Sequence, residues 1–422
     1  MKNKFKVFLV CLMLLPFVAI AQTSKEEVFE DINKAGGVYY AYPVTESKNT
    51  LPPKGYEPFY ISHYGRHGSR YLISDNDYKW VTALMHKAKD ANALTSYGEE
   101  ILSRLDSLTE EVEGRGGDLS PLGVKQQRLI AERMFKSYPA AFKGSNKISA
   151  RSTIVVRCVL SMDAVCERLK ELNPKLNITR EASERYMSYL NYHSIESQEY
   201  MDEDAPWREE YRKFDLACTH PERMSKALFS DESFVTRNVN PHDLMWGFYW
   251  IAVGMQDVET PVSFMDVFTK EELFDLWQSF NYRFYVGDGN YAGNNGMMLN
   301  NAKPLLRNII ESADKYIQSG ESGATLRFGH DGNLIPLAGL LRLENCYNKT
   351  DKPEDFYKNF ADFKIAPMAG NIQIVFFKNK KEGNVIVKFM LNEREISIPL
   401  ETPIYPFYEW QAVKKYYEDN IL

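Results

Sequence analysis

The sequence has 422 residues, with 51 lysines and arginines against 57 aspartates and glutamates, and a formal net charge of −6. This acidic balance argues against nucleic acid as the main partner, because affinity for nucleic acid depends on neutralising phosphates over an extended basic surface. It does not argue against a small anionic substrate, since a cleft can be locally positive on an acidic protein. The length exceeds one ordinary core, yet the sequence has no internal repeat and no linker rich in Gly, Ser or Pro.

The first 21 residues have the pattern of a signal peptide. Three lysines precede an apolar run from Val7 to Ile20, and Ala19 and Ala21 are small residues at the positions that signal peptidase reads. The run is short for a membrane span and polar residues follow it, which favours cleavage over anchoring. We therefore expect a soluble periplasmic or secreted protein, cleaved near Ala21, with no stable membrane insertion. Loss of the three lysines would change its net charge to −9.

A short β-prone run, from Pro58 to Ser62, leads into the motif Arg66-His67-Gly68-Ser69-Arg70. A histidine between two arginines suits an imidazole that attacks phosphorus, because neighbouring cations lower its pKa and keep the ring neutral and nucleophilic. The guanidinium groups present rigid donors that match the oxygens of a transferring phosphoryl group. The motif therefore indicates a phosphoryl-transfer site.

Two other interpretations fit this motif when it is taken alone. His63 and His67 are four residues apart, as two metal ligands on one helix face are, but Gly65, Gly68 and the preceding strand disfavour a helix there. The other interpretation is an exposed arginine loop with an incidental histidine. The rest of the chain has to decide between these interpretations.

Helical patterns follow the motif. Polar residues from Ser74 can cap a helix near Tyr78 to Ala91, and Thr95 to Val112 has helical apolar spacing. Ser120 and Pro121 then supply an N-cap and an N1 proline for a helix that runs to about Ser137.

A short strand, Lys147 to Ala150, and a helix, Ser152 to Leu172, are predicted next. Arg151 stands between them, and a helix N-terminus beside an arginine would favour an anion. An exposed arginine without a function is the alternative.

Residues 185–319 differ in character from the segments on either side, since they contain many aromatic residues at helical spacing and scarcely any β-prone run. Core packing of a helical subdomain explains the aromatics, with carbohydrate stacking as an alternative. His242-Asp243 lies in this stretch without a preceding strand, and we interpret it as structural.

The β pattern returns at Ala324 to Phe328, and it is followed by His330-Asp331-Gly332 at a second strand-to-helix junction. Further strands are predicted at Ile372 to Phe377 and Val385 to Leu391. This alternation predicts an α/β fold, with a mostly parallel sheet flanked by helices and interrupted by a largely helical insert domain. Sites in such sheets gather at the carboxyl ends of the strands, so the two motifs are expected to meet. The expected division is a signal peptide at 1–21, core segments at 22–184 and 320–422, and the insert at 185–319.

Together these junctions resemble the histidine phosphatase superfamily, in its branch of histidine acid phosphatases and phytases. Leu119 to Gln127 and His330 to Leu334 belong to the resemblance. The C-terminal third is most similar to multiple inositol polyphosphate phosphatases, in stretches that begin at Leu326, Ala366 and Leu391.

The resemblance implies catalytic roles for His67, which would form a phosphohistidine, and for Asp331, which would protonate the leaving alkoxide and then help water attack. It implies that phosphoryl oxygens are held by Arg66, Arg70, Arg151 and His330. No metal and no cofactor is expected, since the arginines supply the positive charge. Inositol polyphosphate phosphatases usually carry His-Ala-Glu at the second motif, whereas this chain has His330-Asp331-Gly332. This difference weakens the case for phytate as the substrate.

The sequence therefore predicts a phosphomonoesterase that acts on a small phosphomonoester, with inositol polyphosphates as the favoured substrates. Three alternatives remain: a broad-specificity histidine acid phosphatase, a phosphoglycerate-mutase-like transferase, and a catalytically silent anion- or sugar-binding protein. The four mature cysteines, Cys158, Cys166, Cys218 and Cys346, could pair in three ways or remain isolated thiols. The sequence does not indicate an oligomeric state.

Overall fold

The computed structural model describes residues 23–43 and 49–422. The predicted signal peptide lies outside these residues, so its cleavage stays a prediction. Within the described ranges, no helix combines the length and the apolar character needed to cross a bilayer.

Strands of the described chain form one mixed sheet. They are β1 (Tyr56–Arg66), β2 (Lys147–Ser152), β3 (Asn177–Ala182), β4 (Gly323–Gly329), β5 (Asn371–Asn379), β6 (Val385–Leu391), β7 (Arg394–Ile396) and β8 (Tyr408–Glu409). The order across the sheet is β3-β2-β4-β1-β5-β6-β7, and β8 pairs with β6. The strands from β3 to β1 in this order are parallel, whereas β5, β6 and β7 continue the sheet in antiparallel pairs.

Helices cover both faces of the sheet and form a separate layer beside it. Those before β4 are α1 (Ser24–Glu30), α2 (Asn76–Asp90), α3 (Ser96–Val112), α4 (Pro121–Ser137), α5 (Val156–Leu172), α6 (Glu184–Leu190), α7 (Ile195–Tyr200), α8 (Trp207–Cys218), α9 (Glu222–Leu228), α10 (Glu232–Asn238), α11 (Pro241–Gly254), α12 (Lys270–Asp288), α13 (Met297–Asn300) and α14 (Lys303–Ser319). After β4 come α15 (Asp331–Leu340), α16 (Phe356–Asn359), α17 (Asp362–Ile365) and α18 (Trp410–Asn420).

The sheet separates two hydrophobic cores, because successive side chains of a strand point to opposite faces. On β1, Ile61 packs into the core shared with α4 and α5, whereas Tyr60 and Tyr64 pack into the larger core on the opposite face. The α/β prediction is therefore confirmed. Its parallel half carries both motif-bearing strands, β1 and β4.

The structure departs from the sequence prediction at α5, which begins at Val156 and not at Ser152. Strand β2 continues through Ser152, and its end hydrogen-bonds across to β4, where Thr153 N donates to the Phe328 carbonyl at 3.0 Å. Strand β3 was not predicted because it is a polar, largely exposed edge strand without apolar alternation.

Residues 185–319 contain helices and turns without a strand. The helical layer also includes α2 and α3, which precede residues 185–319 in the sequence. Leu94, just before α3, forms a β-bridge with Phe229 after α9, and Thr95 N donates to the Leu228 carbonyl at 3.0 Å. The domain boundaries stay a prediction, but the helical layer clearly extends beyond the expected insert.

Candidate active site

The two sequence motifs meet at the carboxyl ends of two neighbouring parallel strands. Arg66 at the end of β1 is in register with Gly329 at the end of β4. His67 N then donates to the Gly329 carbonyl at 3.0 Å, and the rings of His67 and His330 lie 5.7 Å apart between centroids. The expected convergence of the motifs at one sheet edge is therefore observed.

His67 is buried, with only 2% of its surface exposed, and its ring is oriented by its own backbone. Nδ1 lies 2.8 Å from the Gly68 carbonyl oxygen, to which it can only donate, and Nε2 has no hydrogen-bond partner among the described residues. Burial lowers the pKa of His67 well below its usual value, and the charges of Arg66, Arg70 and Arg157 lower it further. The site thus holds a neutral imidazole with an unprotonated Nε2.

The loop after β1 is fixed by the start of α4. A side chain at Gly68 would place Cβ only 2.4 Å from the Gly123 carbonyl oxygen, so the two backbones approach too closely for any residue but glycine. Ser69 N donates to Gln126 Oε1 at 2.9 Å, and Gln127 Nε2 donates to the Arg66 carbonyl at 2.8 Å. The buried glutamines of the stretch Leu119 to Gln127 therefore hold the loop that carries His67 in place.

Arg66 is completely buried and is positioned from three sides. Nη1 donates to the carbonyl oxygens of Val38 and Ala366, the latter at 2.8 Å. Nη2 lies 2.6 Å from Asp331 Oδ2, while Nε has no partner among the described residues.

Asp331 is held as a carboxylate in this arrangement. Its Oδ2 faces Arg66 and its Oδ1 accepts the Gly332 N–H at 2.9 Å. Burial raises the pKa of Asp331, but Arg66, His330 and Arg70 outweigh burial, so that its pKa lies below the usual value. Before any substrate binds, Oδ1 therefore already accepts a hydrogen bond and Oδ2 is already paired with a guanidinium.

Arg70 and His330 complete the cluster that the sequence predicted. Arg70 stacks on the Tyr39 ring at 4.7 Å and donates to the Tyr39 hydroxyl at 3.1 Å, and its Nε has no described partner. His330 lies near Thr153, whose Oγ1 is 3.3 Å from Nε2. Burial lowers the pKa of His330 to about 4, so its ring is neutral as well.

Arg151 is not brought into this cluster, and its predicted role is corrected here. Its guanidinium pairs with Glu181 at 3.3 Å, donates to the Tyr189 hydroxyl at 3.1 Å and stacks on Tyr186. The cause is the alternation of side chains along β2, in which successive residues point to opposite faces of the sheet. Ile148 and Ala150 face the core with α4 and α5, so Arg151 points to the opposite face.

A third arginine near the cluster is Arg157, in the first turn of α5. Its charge lowers the pKa of both His67 and His330, and its buried Nε has no partner among the described residues. Ser161 Oγ accepts the Gly68 N–H at 3.1 Å and donates to the Arg157 carbonyl at 2.8 Å, which connects α5 to the loop that carries His67. Sequence reasoning missed Arg157 because it placed the helix start four residues too early.

Other candidate residues have other environments. His63 is buried against Phe328, and burial lowers its pKa to about 3. Among the described residues, no group of three or more His, Cys, Asp or Glu side chains has the arrangement of a metal site. All four cysteines of the described chain are free and buried.

His242 lies on α11 in the helical layer. Its Nε2 is 2.8 Å from Asp215 Oδ2 and its Nδ1 is 3.2 Å from Asp243 Oδ1. It lines an aromatic cavity of about 430 Å³, which also includes Trp80 and Trp246.

A cavity of about 340 Å³ opens in front of the cluster. Among its lining residues are Arg70, Tyr39, Leu72, Asp77, Trp250, Phe280, Arg283, Asp288 and Asp331. It shares Asp77, Trp250, Phe280 and Arg283 with the aromatic cavity beside it. A substrate with its phosphate at His67 would therefore extend its leaving group between the sheet edge and the helical layer.

The family model of the histidine phosphatase superfamily (branch 2) matches residues 65–392, more than half of the chain. The chain belongs to this superfamily. The resemblance carried by the two motifs is confirmed, and membership makes the chain a phosphoric monoester hydrolase of the histidine acid phosphatase type.

Solved structures of this fold include several similar proteins. The multiple inositol polyphosphate phosphatase of Bifidobacterium longum, in complex with phosphate, matches with a TM-score of 0.77 and 17% identity over 91% of this chain and 97% of that chain. The phytase of D. castellii matches with a TM-score of 0.67 and 17% identity over 92% and 85%. The apo phytase of Hafnia alvei matches with a TM-score of 0.51 and 12% identity over 88% and 98%. No curated protein sequence matches the chain.

Proposed function

We propose that this protein is an exported, metal-independent phosphomonoesterase that works through a phosphohistidine, with inositol polyphosphates as its substrates. The observation that carries the proposal is the free Nε2 of a neutral His67 inside a cluster of three arginines. Nε2 attacks phosphorus, the bond to the leaving oxygen breaks, and water then hydrolyses the phosphohistidine. The guanidinium groups stabilise the charge that develops on the phosphoryl oxygens.

Charge balance supports a phosphomonoester dianion. Arg66, Arg70 and Arg157 bring three positive charges and Asp331 one negative charge, so the free site carries two positive charges beside a neutral nucleophile. A phosphomonoester carries about −1.5 to −2 at neutral pH, which matches this surplus. His330, as a neutral donor, adds a hydrogen bond to a phosphoryl oxygen.

Asp331, which pairs with Arg66, is the acid–base group of this cluster. When a phosphate dianion draws Arg66 to itself, the pKa of Asp331 rises, because the cation that held it ionised is now shared. It can then exchange a proton with the leaving oxygen and with the attacking water, steps that together contribute about 10²–10⁴-fold.

Inositol polyphosphates are proposed because of the neighbours. One neighbour is a multiple inositol polyphosphate phosphatase, whose structure was also solved with inositol hexasulfate, and two others are phytases. The cavity wall favours the alternative of a broad-specificity acid phosphatase, because the carboxyl groups of Asp77 and Asp288 line it and would disfavour the further phosphates of a polyphosphate.

A substrate panel decides between the two. Purified protein is assayed for phosphate release from phytate, sugar phosphates and an aryl phosphate, with and without EDTA. We expect the highest kcat/KM with phytate and no effect of the chelator. A preference for aryl and sugar phosphates would establish the broad phosphatase, phosphate binding without turnover would establish a silent binding protein, and loss of activity on chelation would overturn metal independence.

Export is tested separately. We expect the mature protein, recovered from the periplasm or the medium, to begin at Gln22. An intact N-terminus in the exported fraction would contradict cleavage after Ala21.

A further inference from the structure

The aromatic cavity in the helical layer takes no part in the reaction proposed above. It has a volume of about 430 Å³ and adjoins the cavity in front of the arginine cluster, which we call the catalytic cavity. The two are continuous, because Asp77, Trp250, Phe280 and Arg283 line both. A group bound in the aromatic cavity can therefore be linked covalently to a group whose phosphate lies at His67.

Aromatic rings form the walls of this cavity. Trp246 and Trp250 lie one turn apart on α11, with their ring centroids 5.4 Å apart and their planes at 30°. Phe280 on α12 meets Trp250 edge-on at 4.8 Å. A methyl group at Gly247 would lie 2.3 Å from Trp80 Cζ2, so any side chain at this position would displace the Trp80 indole from α11. Rings packed in this way offer rigid apolar faces to a ligand at a low cost in conformational entropy.

The polar groups of the wall are mostly acceptors. They comprise three carboxylates and one guanidinium, from Asp77, Asp215, Asp243 and Arg283. Two of the carboxylates are held in place by hydrogen bonds. Ser279 Oγ donates to Asp215 Oδ1 at 2.6 Å, and the His242 ring lies between Asp215 Oδ2 at 2.8 Å and Asp243 Oδ1 at 3.2 Å.

This combination of groups selects a class of ligand. A second phosphate in the aromatic cavity would be repelled by three carboxylates. A quaternary ammonium would suit the rings and the carboxylates, but it would face the Arg283 guanidinium. The hydroxyl groups of a sugar donate to carboxylates and accept from a guanidinium, and the C–H faces of its ring pack on indole. An uncharged sugar ring therefore satisfies the aromatic, the acidic and the basic groups together.

We propose that the aromatic cavity is a subsite for an uncharged sugar ring that is linked to the phosphorylated part of the substrate. The inference rests on the proposed phosphatase function. The phosphorylated ring, inositol or sugar, lies in the catalytic cavity, and its unphosphorylated neighbour stacks on Trp246 and hydrogen-bonds to Asp243 and Arg283. No bond is made or broken at this subsite, so its contribution is binding energy, which appears in kcat/KM.

The test compares glucose 6-phosphate with two glucose disaccharides that carry one phosphate, the α-linked trehalose 6-phosphate and the β-linked cellobiose 6-phosphate. We expect kcat/KM to be about 10-fold higher for at least one disaccharide, which is the gain from about one net hydrogen bond. In Trp246→Leu and in Asp243→Ala this preference should fall below about 3-fold. Equal kcat/KM for all three substrates, or a preference that survives in Asp243→Ala or in a folded Trp246→Leu, would overturn the proposal.

Trp207→Leu is the matched control. It makes the same change in the same helical layer but outside both cavities, where Trp207 Nε1 donates to the Tyr200 carbonyl at 2.7 Å. It should keep the wild-type preference for the disaccharide phosphate, and thermal unfolding of each variant shows whether it is folded. Loss of the preference in folded Trp207→Leu would contradict a specific role of Trp246.

A binding measurement separates this subsite from the catalytic function. Dissociation constants for the three sugar phosphates are measured by calorimetry on His67→Ala, so that no turnover is needed. We expect the preferred disaccharide phosphate to bind about 10-fold more tightly than glucose 6-phosphate. If the wild type hydrolysed none of the three, the proposed function would fail, while this difference in affinity would still support the subsite. Normal hydrolysis with equal affinities would overturn this inference alone.

Discussion

The Nδ1 atom of His67 lies 2.8 Å from the carbonyl oxygen of Gly68, the next residue in the chain. A carbonyl oxygen accepts only, so Nδ1 must carry the proton and Nε2 must carry the lone pair. The contact depends on the loop conformation that Gly68 adopts against Gly123. The tautomer needed for attack on phosphorus is thus set by the backbone and not by a carboxylate partner.

Replacement of His67 by alanine should abolish turnover, since it removes the nitrogen that would attack phosphorus. In the wild type, an acid-labile, base-stable phosphoenzyme should be trapped by rapid quenching, and in His67→Ala it should be absent. Retention of more than about one hundredth of the activity would contradict a covalent role. His86→Ala, which removes an exposed imidazole paired with Asp106, is the control and should keep full activity.

Arg157 and Arg151 provide a direct test of which arginine serves the site. Arg157→Gln should lower kcat/KM by about 10²-fold, because a cation aimed at the phosphoryl group is lost. Arg151→Gln should change kcat/KM by less than about 3-fold, since its guanidinium is engaged by Glu181 and Tyr189 on the other face of the sheet. Equal losses in the two variants would contradict the placement of these arginines.

The Arg151 error shows where sequence reasoning was limited. The strand, the helix and the junction between them were all predicted, and so were the elements around His67 and His330. What the sequence pattern did not supply was the length of β2, which continues through Ser152 and delays the helix to Val156. Strand parity alone could have excluded Arg151, because Ile148 and Ala150 identify the core-facing positions.

Asp288 could not have been predicted at all. It has no motif around it, and it reaches the cavity only because α12 ends against the start of α15. Contacts between distant elements of this kind depend on tertiary packing, which local periodicity does not encode. The buried pair formed by Ser69 and Asp257 is another example, since its members are 188 positions apart in the sequence.

The pH profile of kcat/KM should show no loss of activity on the acid side near pH 6.5. The neutral ring of His67 is the active form, and burial together with the neighbouring arginines lowers its pKa well below the usual value of 6.5. As pH falls, His67 therefore stays neutral and nucleophilic through the range where an ordinary histidine becomes protonated. We expect kcat/KM for an aryl phosphate, corrected for titration of the substrate, to hold down to about pH 5. An enzyme limb near 6.5 would contradict a depressed His67 pKa.

Asp257 should make the folded protein less stable as pH rises. It is fully buried, Ser69 Oγ donates to its Oδ1 at 2.6 Å, and burial raises its pKa to about 8. In the unfolded chain its pKa is near 3.8, so between these values the folded state binds a proton that the unfolded state releases. The free energy of unfolding therefore falls with increasing pH, by at most about 1.4 kcal/mol per unit from this group.

Asp257→Asn keeps the acceptor for Ser69 and has no proton to lose, so it removes this pH-dependent penalty. The Tm of the variant minus the Tm of the wild type should increase as the pH is raised from 5 to 8. Asp231→Asn is the control, because Asp231 caps α10 with a lowered pKa and stays ionised over this range. That variant should show the same Tm difference at both pH values. A Tm difference between Asp257→Asn and the wild type that stays constant from pH 5 to pH 8 would mean that Asp257 is ionised in the folded state, held by Arg66 and Arg70.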